Sequence, residues 1–305
     1  MKLTYAFCTY NRANRLERLV AAMRTQRCPI PFEILAVNNA STDHTEQILN
    51  KLKDVPGPPL RVVTESNPGI VPARNRALEE SLDSEIMVFI DDDEIPRQGL
   101  LNAVVDAILN QGADCVGGRV IVNLGEVQRP SWLDDNLLGF LAQVDYGDKP
   151  FWIKDSSTPL WTANIAYSMR IFRNNPGLRF DPNYNREGKD IGGGEDAIMF
   201  RTMIERGYNI LYRPDMVVEH EVEPWRINPL YFLKLHYKSG LRTGMYQLPE
   251  YQRTLLGVPP FLVRQFLIHL FRTLACVPNK NCNHIRQSMN ASHAFGMIIG
   301  YIKKH

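Results

Sequence analysis

The sequence predicts an α/β protein, with a mostly parallel sheet flanked by helices and a helical, basic C-terminal extension. The first 122 residues alternate short apolar runs with helical spacing, which is typical of parallel strands joined by helical crossovers. One of these runs, Ile86–Ile90, is entirely apolar, as expected for a strand that is buried on both faces. After residue 225 the chain becomes basic and aromatic, with helical periodicity.

Five runs in the first part have the composition of buried strands. They are Leu3–Cys8, Phe32–Val37, Leu60–Val63, Ile86–Ile90 and Cys115–Val122. Residues 123–190 lack a regular pattern, and two short strands, Ile210–Tyr212 and Met216–Val218, are predicted to follow. In the extension, Tyr231–Arg242 and Phe261–Val277 have helical spacing, and the change in character predicts a domain boundary at 224/225.

Charge is distributed unevenly along the chain. The net charge is +2, yet residues 226–305 contain 11 Lys and Arg against one acid, whereas residues 1–225 contain 24 basic and 32 acidic residues. A basic helical segment with a large apolar face is typical of an element that lies on a membrane surface. It is equally typical of a helical hairpin that packs on its own domain, so both alternatives stay open.

The rest of the composition is that of an ordinary globular protein, with 44% hydrophobic and 22% charged residues. The five cysteines are odd in number and scattered, which predicts reduced thiols in a cytosolic protein. The chain begins directly with a strand pattern, which indicates that no signal peptide precedes it, and no apolar run is long enough to span a membrane.

Four consecutive acids, Asp91 to Glu94, follow the buried strand Ile86–Ile90 directly. Carboxylates crowded at the end of a buried strand repel one another and are costly to desolvate, and a bound cation relieves both effects. Oxygen ligands suit Mg²⁺ or Mn²⁺, and open α/β sheets bind their ligands at the carboxyl ends of strands. The alternative is a solvated acidic turn in front of a helix.

Five different motifs rich in polar residues lie within the first 196 residues. They are residues 7–12 (FCTYNR), 37–43 (VNNASTD), 67–75 (NPGIVPARN), 91–93 (DDD) and 194–196 (GED). Together and in this order they resemble the motifs of inverting, metal-dependent family-2 glycosyltransferases of the bacterial polysaccharide-biosynthesis type. The resemblance covers roughly residues 3–220 and implies the GT-A fold, a Rossmann-like, mostly parallel sheet flanked by helices.

The resemblance also implies roles for individual residues. Contacts to the nucleotide-sugar donor fall on Thr9, Tyr10, Asn11, Arg12, Asn38, Ser41, Asn67, Gly69, Arg74, Asp91, Asp92, Trp161 and Asn164. The metal, Mn²⁺ or Mg²⁺, falls on Asp93, Asp91 and His220, and the catalytic base on Asp196, with Glu195 as the alternative. Asn38 departs from the family pattern, which usually has an aspartate there, so the identity of the nucleobase is open.

A physical argument supports the assignment of the base. A carboxylate that follows three glycines at a helix N-terminus can be approached closely by an acceptor, and the helix dipole is expected to keep its pKa low. An ordinary acid pair at the start of a helix is the alternative for Glu195 and Asp196. A structural histidine is the alternative for His220.

The resemblance implies a hexosyltransferase-type glycosyltransferase that moves a sugar from a UDP-sugar to a glycan or lipid-linked glycan. Residues 1–224 are expected to form the GT-A nucleotide-sugar-binding and catalytic domain. Residues 225–305 are expected to form a basic helical region that contacts the acceptor or the membrane surface. The expected location is cytoplasmic, peripheral on the inner face of the membrane.

Three other classes of protein are weighed against this prediction. A non-catalytic module that binds a nucleotide or a sugar is the first alternative. A sugar-nucleotidyltransferase is the second, and it is disfavoured because residues 9–12 are not the glycine-rich phosphate loop that such enzymes have after the first strand. A nucleic-acid-binding protein is not favoured, because the sequence contains no recognition motif of that class.

Overall fold

The computed structural model describes residues 1–187, 190–276 and 283–304. Over these residues the chain forms nine strands: β1 Leu3–Thr9, β2 Phe32–Asn39, β3 Leu60–Glu65, β4 Ile86–Ile90, β5 Glu94–Pro96, β6 Cys115–Asn123, β7 Phe151–Ile153, β8 Asn164–Ser168 and β9 Ile210–Glu221. The α-helices are α1 Ala13–Arg24, α2 Thr45–Lys53, α3 Ile70–Glu80, α4 Leu100–Val105, α5 Asp135–Leu138, α6 Arg170–Asn174, α7 Glu195–Glu205, α8 Pro229–Arg242, α9 Pro260–Cys276 and α10 His284–Lys304.

The strands form one mixed sheet in the order β3-β2-β1-β4-β8-β6-β9-β5, with β7 paired to β9. The strands β3, β2, β1 and β4 are parallel to one another, and β6 is parallel to β9. Strand β8 is antiparallel to both β4 and β6 and joins these two parallel parts. The predicted α/β class is confirmed, and all five strands predicted in the first part of the chain are present.

The sequence-based prediction was wrong about the second half of the sheet. Residues 123–190 are not irregular throughout, because they contain β7 and the wholly buried β8. The two predicted last strands are a single strand, β9, whose register against β6 shifts between Gly118 and Arg119. A Cβ on Gly118 would lie 1.9 Å from Met216 O, so the irregularity depends on a glycine where the two backbones approach closely.

The chain divides into two compact units. The first comprises Met1–Gly125, Ala142–Gly188 and Glu195–Glu221, and it contains the whole sheet. Its core consists of apolar side chains from both faces of the sheet, and all five residues of β4 are buried. The burial of β4 follows from its uniformly apolar sequence, as predicted.

The second unit comprises Glu126–Leu141, Lys189–Gly194 and Val222–His305. Helices α8 and α10 cross in it with almost no space between their backbones, because glycines line the contact. A Cβ on Gly240 would lie 2.0 Å from His293 O, and one on Gly296 would lie 2.2 Å from Tyr237 O. The two helices can approach this closely only where side chains are absent.

The cysteines differ from expectation at one position. Cys8, Cys28 and Cys115 are free thiols, as predicted. Cys276 is disulfide-bonded, so the prediction of fully reduced cysteines was wrong there; an odd number of cysteines does not exclude a bridge. Cys282 lies outside the described residues. Among the helices that the structure describes, none combines the length and apolar character needed to cross a bilayer.

Candidate active site

Three parallel strands end at the same edge of the sheet, and a polar side chain lies at the end of each. Thr9 ends β1, Asn38 lies next to the end of β2, and Asp91 follows β4. The Thr9 hydroxyl donates a hydrogen bond to Asp92 Oδ2 at 2.7 Å. Asn38 is buried, and its Oδ1 lies 3.4 Å from Ser41 N. The register of the sheet therefore brings the motifs of β1, β2 and β4 together.

Asn11 joins the loop after β1 to the loop after β2. Its backbone φ is +53°, a left-handed conformation that asparagine tolerates better than most residues. Its Oδ1 accepts a hydrogen bond from Thr42 N at 2.8 Å, and its own N donates to Ser41 Oγ at 3.0 Å. Tyr10, in the same loop, leaves 39% of its surface exposed. The hydrogen bonds of Asn11 thus fix the backbone of the loop that presents the partly exposed Tyr10 ring.

Asn39 and Gly69 form the next part of this edge. Asn39 Nδ2 donates to Asn67 O at 2.7 Å, and Asn39 Oδ1 accepts from Gly69 N at 2.8 Å. Gly69 has a φ of +120°, and a Cβ there would lie 2.2 Å from the Asn185 side chain. The start of α3 at this point consequently requires glycine.

Arg74, on α3, links two of the predicted motifs. It is 3% exposed, its Nη2 lies 3.1 Å from Asp91 Oδ1, and its Nη1 forms an ion pair with Glu195. Its guanidinium carbon lies 5.8 Å from the centre of the Phe180 ring. Burial alone would lower the pKa of Arg74, but the charges of Glu195 and Asp91 raise it, so the guanidinium stays charged.

The two acids at the start of α7 have different environments. Glu195 is buried and paired with Arg74, and its Oε2 has no hydrogen-bond partner within the described part of the chain. Asp196 is partly exposed, and its Oδ1 accepts a hydrogen bond from Ala197 N at 2.8 Å. Of the two acids, Asp196 is the less buried and is not paired with Arg74, so it is the better candidate to meet an acceptor hydroxyl.

The expected low pKa of Asp196 is wrong. Burial and the neighbouring charge of Glu195 raise the pKa of Asp196 to about 6, although the positive charge of Arg74 lowers it. Desolvation and a like charge therefore outweigh the helix N-terminus, whose effect is modest by comparison. A carboxylate with such a pKa is a stronger base near neutral pH than an ordinary aspartate, and it is still mostly ionised there.

Trp161 lies on the segment that leads into β8, and Asn164 is the first residue of that strand. The Asn164 side chain is buried, and its Nδ2 donates to Arg119 O and to Met216 O, both at 2.9 Å. These two carbonyls flank the irregular pairing of β6 with β9, so the Asn164 side chain bridges the two strands at the point where their register shifts. Trp161 is partly buried and packs against the core of the first unit. Their predicted contacts to the donor stay predictions.

The sequence comparison decides the family. The profile described as "Glycosyl transferase family 2" matches residues 6–175, which is more than half of the chain. The chain belongs to this family.

A curated relative and several solved structures resemble this family member. Glycosyltransferase AglE of Haloferax volcanii is 31% identical over 112 residues, which is 36% of this chain and 36% of the relative, so the chain spans about a third of that protein's length. The mannosyltransferase PcManGT from Pyrobaculum calidifontis, in complex with GDP-Man and Mn²⁺, has a TM-score of 0.62 at 19% identity and covers 99% of this chain and 88% of that one.

A second solved structure, S. aureus TarS 1–349 in complex with UDP-GlcNAc, has a TM-score of 0.55 at 18% identity and covers 95% of this chain and 79% of that one. At such low identities the likeness establishes the GT-A fold, and the chemistry has to be argued from the residues of this chain.

The acidic turn fits a divalent cation. Burial and the charge of Asp93 raise the pKa of Asp92 to about 7, and burial with the charges of Asp91 and Asp93 raises the pKa of Glu94. These carboxyl groups are thus crowded beyond what the nearby Arg12, 3.9 Å from Asp92, can balance. Oxygen donors in this number suit Mn²⁺ or Mg²⁺.

The three predicted metal ligands are arranged unequally. Strand pairing of β5 with β9 brings His220 Nε2 to 3.6 Å from Asp93 Oδ2, whereas Asp91 is paired with Arg74. Across residues 1–187, 190–276 and 283–304, no three acidic, histidine or cysteine side chains are preassembled as a metal cluster. Asp93 and His220 are therefore the adjacent pair, and the assignment of the metal to Asp93, Asp91 and His220 stays a prediction.

The sequence analysis assigned no role to two residues that hold the backbone of the site in place. Glu94 is buried, and its Oε2 accepts a hydrogen bond from Asp91 N at 2.9 Å, which fixes the acidic turn. Asn185 caps α3 by accepting a hydrogen bond from Val71 N at 3.1 Å. The position of Glu94 in the acid run was a usable signal, but Asn185 is 114 residues from Val71 and only the fold brings them together.

Proposed function

We propose that this glycosyltransferase moves a hexosyl group from a UDP-sugar to a glycan acceptor, with inversion at the anomeric carbon and assistance from Mn²⁺ or Mg²⁺. The observation that carries the proposal is the Asp91–Arg74–Glu195 ion-pair chain, which holds the acidic turn beside the start of α7, where Asp196 is only partly buried. In-line transfer needs a site that binds a cation beside the leaving diphosphate and, next to it, a base for the acceptor hydroxyl.

Each residue of the site is assigned a separate role in the transfer. The acceptor oxygen attacks the anomeric carbon as the bond from that carbon to the diphosphate oxygen breaks, and the nucleoside diphosphate leaves with the bonding electrons. Asp196 takes the proton of the acceptor hydroxyl. Asp93 and His220 would hold the cation, which supplies positive charge against the leaving diphosphate. Asp91 and Glu195 are both paired with Arg74, so Asp196 is the carboxylate that we assign as a base and not as a nucleophile, and one base without a nucleophile is what an inverting transfer uses.

The loops after β1 and β2 are proposed to bind the nucleotide. Tyr10 is exposed enough to contact a nucleobase, and the Asn38 side chain has both a donor and an acceptor for uracil. Thr9 and Asp92 are hydrogen-bonded to each other beneath this site. The basic composition of 226–305 supports a lipid-linked glycan as the acceptor, because such a substrate lies at an anionic surface.

The test is turnover with a panel of nucleotide sugars in the presence of Mn²⁺, using wild type and Asp196→Asn. We expect product from a UDP-sugar with wild type and a loss of about 10²–10⁴-fold in kcat with Asp196→Asn, because a general base contributes this much. The matched control is Asp83→Asn, which removes an exposed carboxylate from the same unit and should leave kcat unchanged.

Two outcomes would overturn parts of the proposal. Nucleotide binding without turnover of any nucleotide sugar would favour the non-catalytic binding module. Full activity of Asp196→Asn, together with inactivity of a Glu195→Gln variant that still binds nucleotide, would transfer the role of base to Glu195.

A further inference from the structure

Helix α9 of the second unit exposes a row of large apolar side chains. Only Leu262 and Cys276 are buried among its described residues, whereas Phe271 is 72% and Leu267 is 55% exposed. Positions 264, 267, 268, 271 and 274 are spaced so that they share one face of the helix, opposite the face that holds Leu262. A row of this size is unusual on the free surface of a soluble domain and marks an interaction site.

A turn just before α9 presents another exposed leucine. Leu255 and Val258 exchange backbone hydrogen bonds of 2.8 and 3.1 Å, and the two residues between them both have positive φ, +51° at Leu256 and +78° at Gly257. This turn type favours Asn-Gly, and a leucine in the left-handed conformation is unfavourable. Leu256 is nevertheless 95% exposed at the tip. A strained, exposed leucine does not stabilise the fold, which indicates that it contacts a binding partner.

The charges beside this row are all of one sign. Helix α9 contains Arg264 and Arg272 and no acid, and both arginines line the same shallow groove as Leu255, Leu267 and Phe271. The surrounding residues 226–305 contain 11 Lys and Arg against one acid. A partner must therefore accept apolar side chains and supply negative charge at the same place.

We propose that Leu256 and the outer face of α9 form a docking surface for the interface of an anionic lipid bilayer. Leucine and phenylalanine would enter the headgroup–acyl boundary while Arg264 and Arg272 extend to lipid phosphates. A second copy of this chain fits less well, because a two-fold contact would bring the arginines of both copies into one interface in which α9 offers no acid to pair with them. This surface is independent of the proposed transfer reaction.

The test is co-sedimentation of the full chain with vesicles of phosphatidylcholine alone or mixed with phosphatidylglycerol. We expect binding to the anionic vesicles, weakened by salt. Leu256→Asn should weaken binding by about tenfold, because burying a large apolar side chain contributes roughly that factor. The same substitution suits the turn, so the melting temperature should hold or rise.

Further variants distinguish binding through this surface from non-specific binding to vesicles. Phe271→Ser should also weaken binding about tenfold, and Arg264→Gln with Arg272→Gln should remove most of the preference for phosphatidylglycerol. Val55→Asn, which replaces an exposed valine of the first unit, should bind as wild type does.

Three results would overturn the proposal. They are the absence of binding to phosphatidylglycerol vesicles at low salt, wild-type binding by both Leu256→Asn and Phe271→Ser, and a dimer in sedimentation velocity that Phe271→Ser dissociates. The last would make the surface a self-association site.

Discussion

At the residue scale, the buried guanidinium of Arg74 requires opposite charge, and the structure supplies it from both sides. Asp91 and Glu195 come from the acidic turn and from the start of α7, which are more than a hundred residues apart in sequence. Charges removed from water are stabilised only if they are paired and hydrogen-bonded. Arg74 is thus the structural link between the two motifs.

Replacing Arg74 by methionine should destabilise the protein by about 3–5 kcal/mol, because it leaves a buried carboxylate without its partner. The double variant Arg74→Met with Glu195→Leu should recover part of this loss, since it removes both charges. Arg76→Met on the same helix is the control: its ion pair with Glu80 is partly open to solvent, and the loss should be below about 1 kcal/mol. Urea unfolding measures all three, and an equal effect of Arg74→Met and Arg76→Met would contradict the pairing argument.

The raised pKa of Asp196 predicts the pH dependence of catalysis. A base must be unprotonated to accept a proton, so kcat/KM should rise with pH and level off above about 6. Removing the charge of Glu195, which raises this pKa, should move the midpoint to lower pH in Glu195→Gln. Initial rates from pH 4.5 to 8 measure the shift. A midpoint that stays in place in Glu195→Gln would show that another group titrates.

At the element scale, the crossing of α8 and α10 depends on four glycines, one on α8, two on α10 and Gly244 in the π-helical turn Thr243–Gln247 that continues α8. Besides Gly240 and Gly296, a Cβ on Gly244 would lie 2.3 Å from Met297 O and one on Gly300 would lie 2.0 Å from Leu241 O. Each contact involves backbone of the facing helix, which cannot move aside as a side chain can. The crossing therefore tolerates no added methyl group.

Gly296→Ala should destabilise the protein by about 1–3 kcal/mol or more, although alanine is the better helix former in isolation. Gly139→Ala is the matched control in the same unit, because it has an ordinary helical φ of −57° and its Cβ would meet nothing within 4 Å. That variant should hold or gain stability. Thermal unfolding compares the two, and a more stable Gly296→Ala would show that the helices are further apart than described.

Asn164 permits a similar test within the sheet. Asn164→Asp replaces two amide donors by a carboxylate facing the carbonyls of Arg119 and Met216, so we expect a loss of at least about 2 kcal/mol. Asn102→Asp, at an exposed position of α4, should change stability by less than about 0.5 kcal/mol. Wild-type stability of Asn164→Asp with weaker donor binding would favour the predicted donor contact over the structural one.

Prediction from sequence succeeded where local pattern and burial coincide. Strands β1, β2 and β4 are nearly continuous apolar runs, so both their positions and the motifs at their ends could be predicted. Strand β8 has the sequence NIAYS and is made a strand by its neighbours on both sides, which no local pattern shows. The same limit applies within the site, because the pairing of Arg74 with Glu195 spans 121 residues.

At the scale of the whole molecule, charge separates the two parts of the chain. Residues 1–225, which contain the proposed site, have an excess of eight acids over bases, and nucleoside diphosphates are themselves anionic. Without a counter-charge the two would repel. The positive charges of Arg12 and Arg74 already lie against Asp92 and against Asp91 and Glu195. A divalent cation on the acidic turn is therefore expected to control nucleotide affinity.

Calorimetric titration with UDP should show binding that requires Mn²⁺ or Mg²⁺ and is abolished by a chelator. Asp93→Asn should weaken it by at least about tenfold, because it removes a charged ligand next to His220. Asp54→Asn, at an exposed acid after α2, controls for a simple change in net charge and should bind UDP as wild type does. Equal binding with and without metal would refute the role of the acidic turn, whereas metal-dependent binding of GDP in preference to UDP would retain it and assign the changed nucleobase to Asn38.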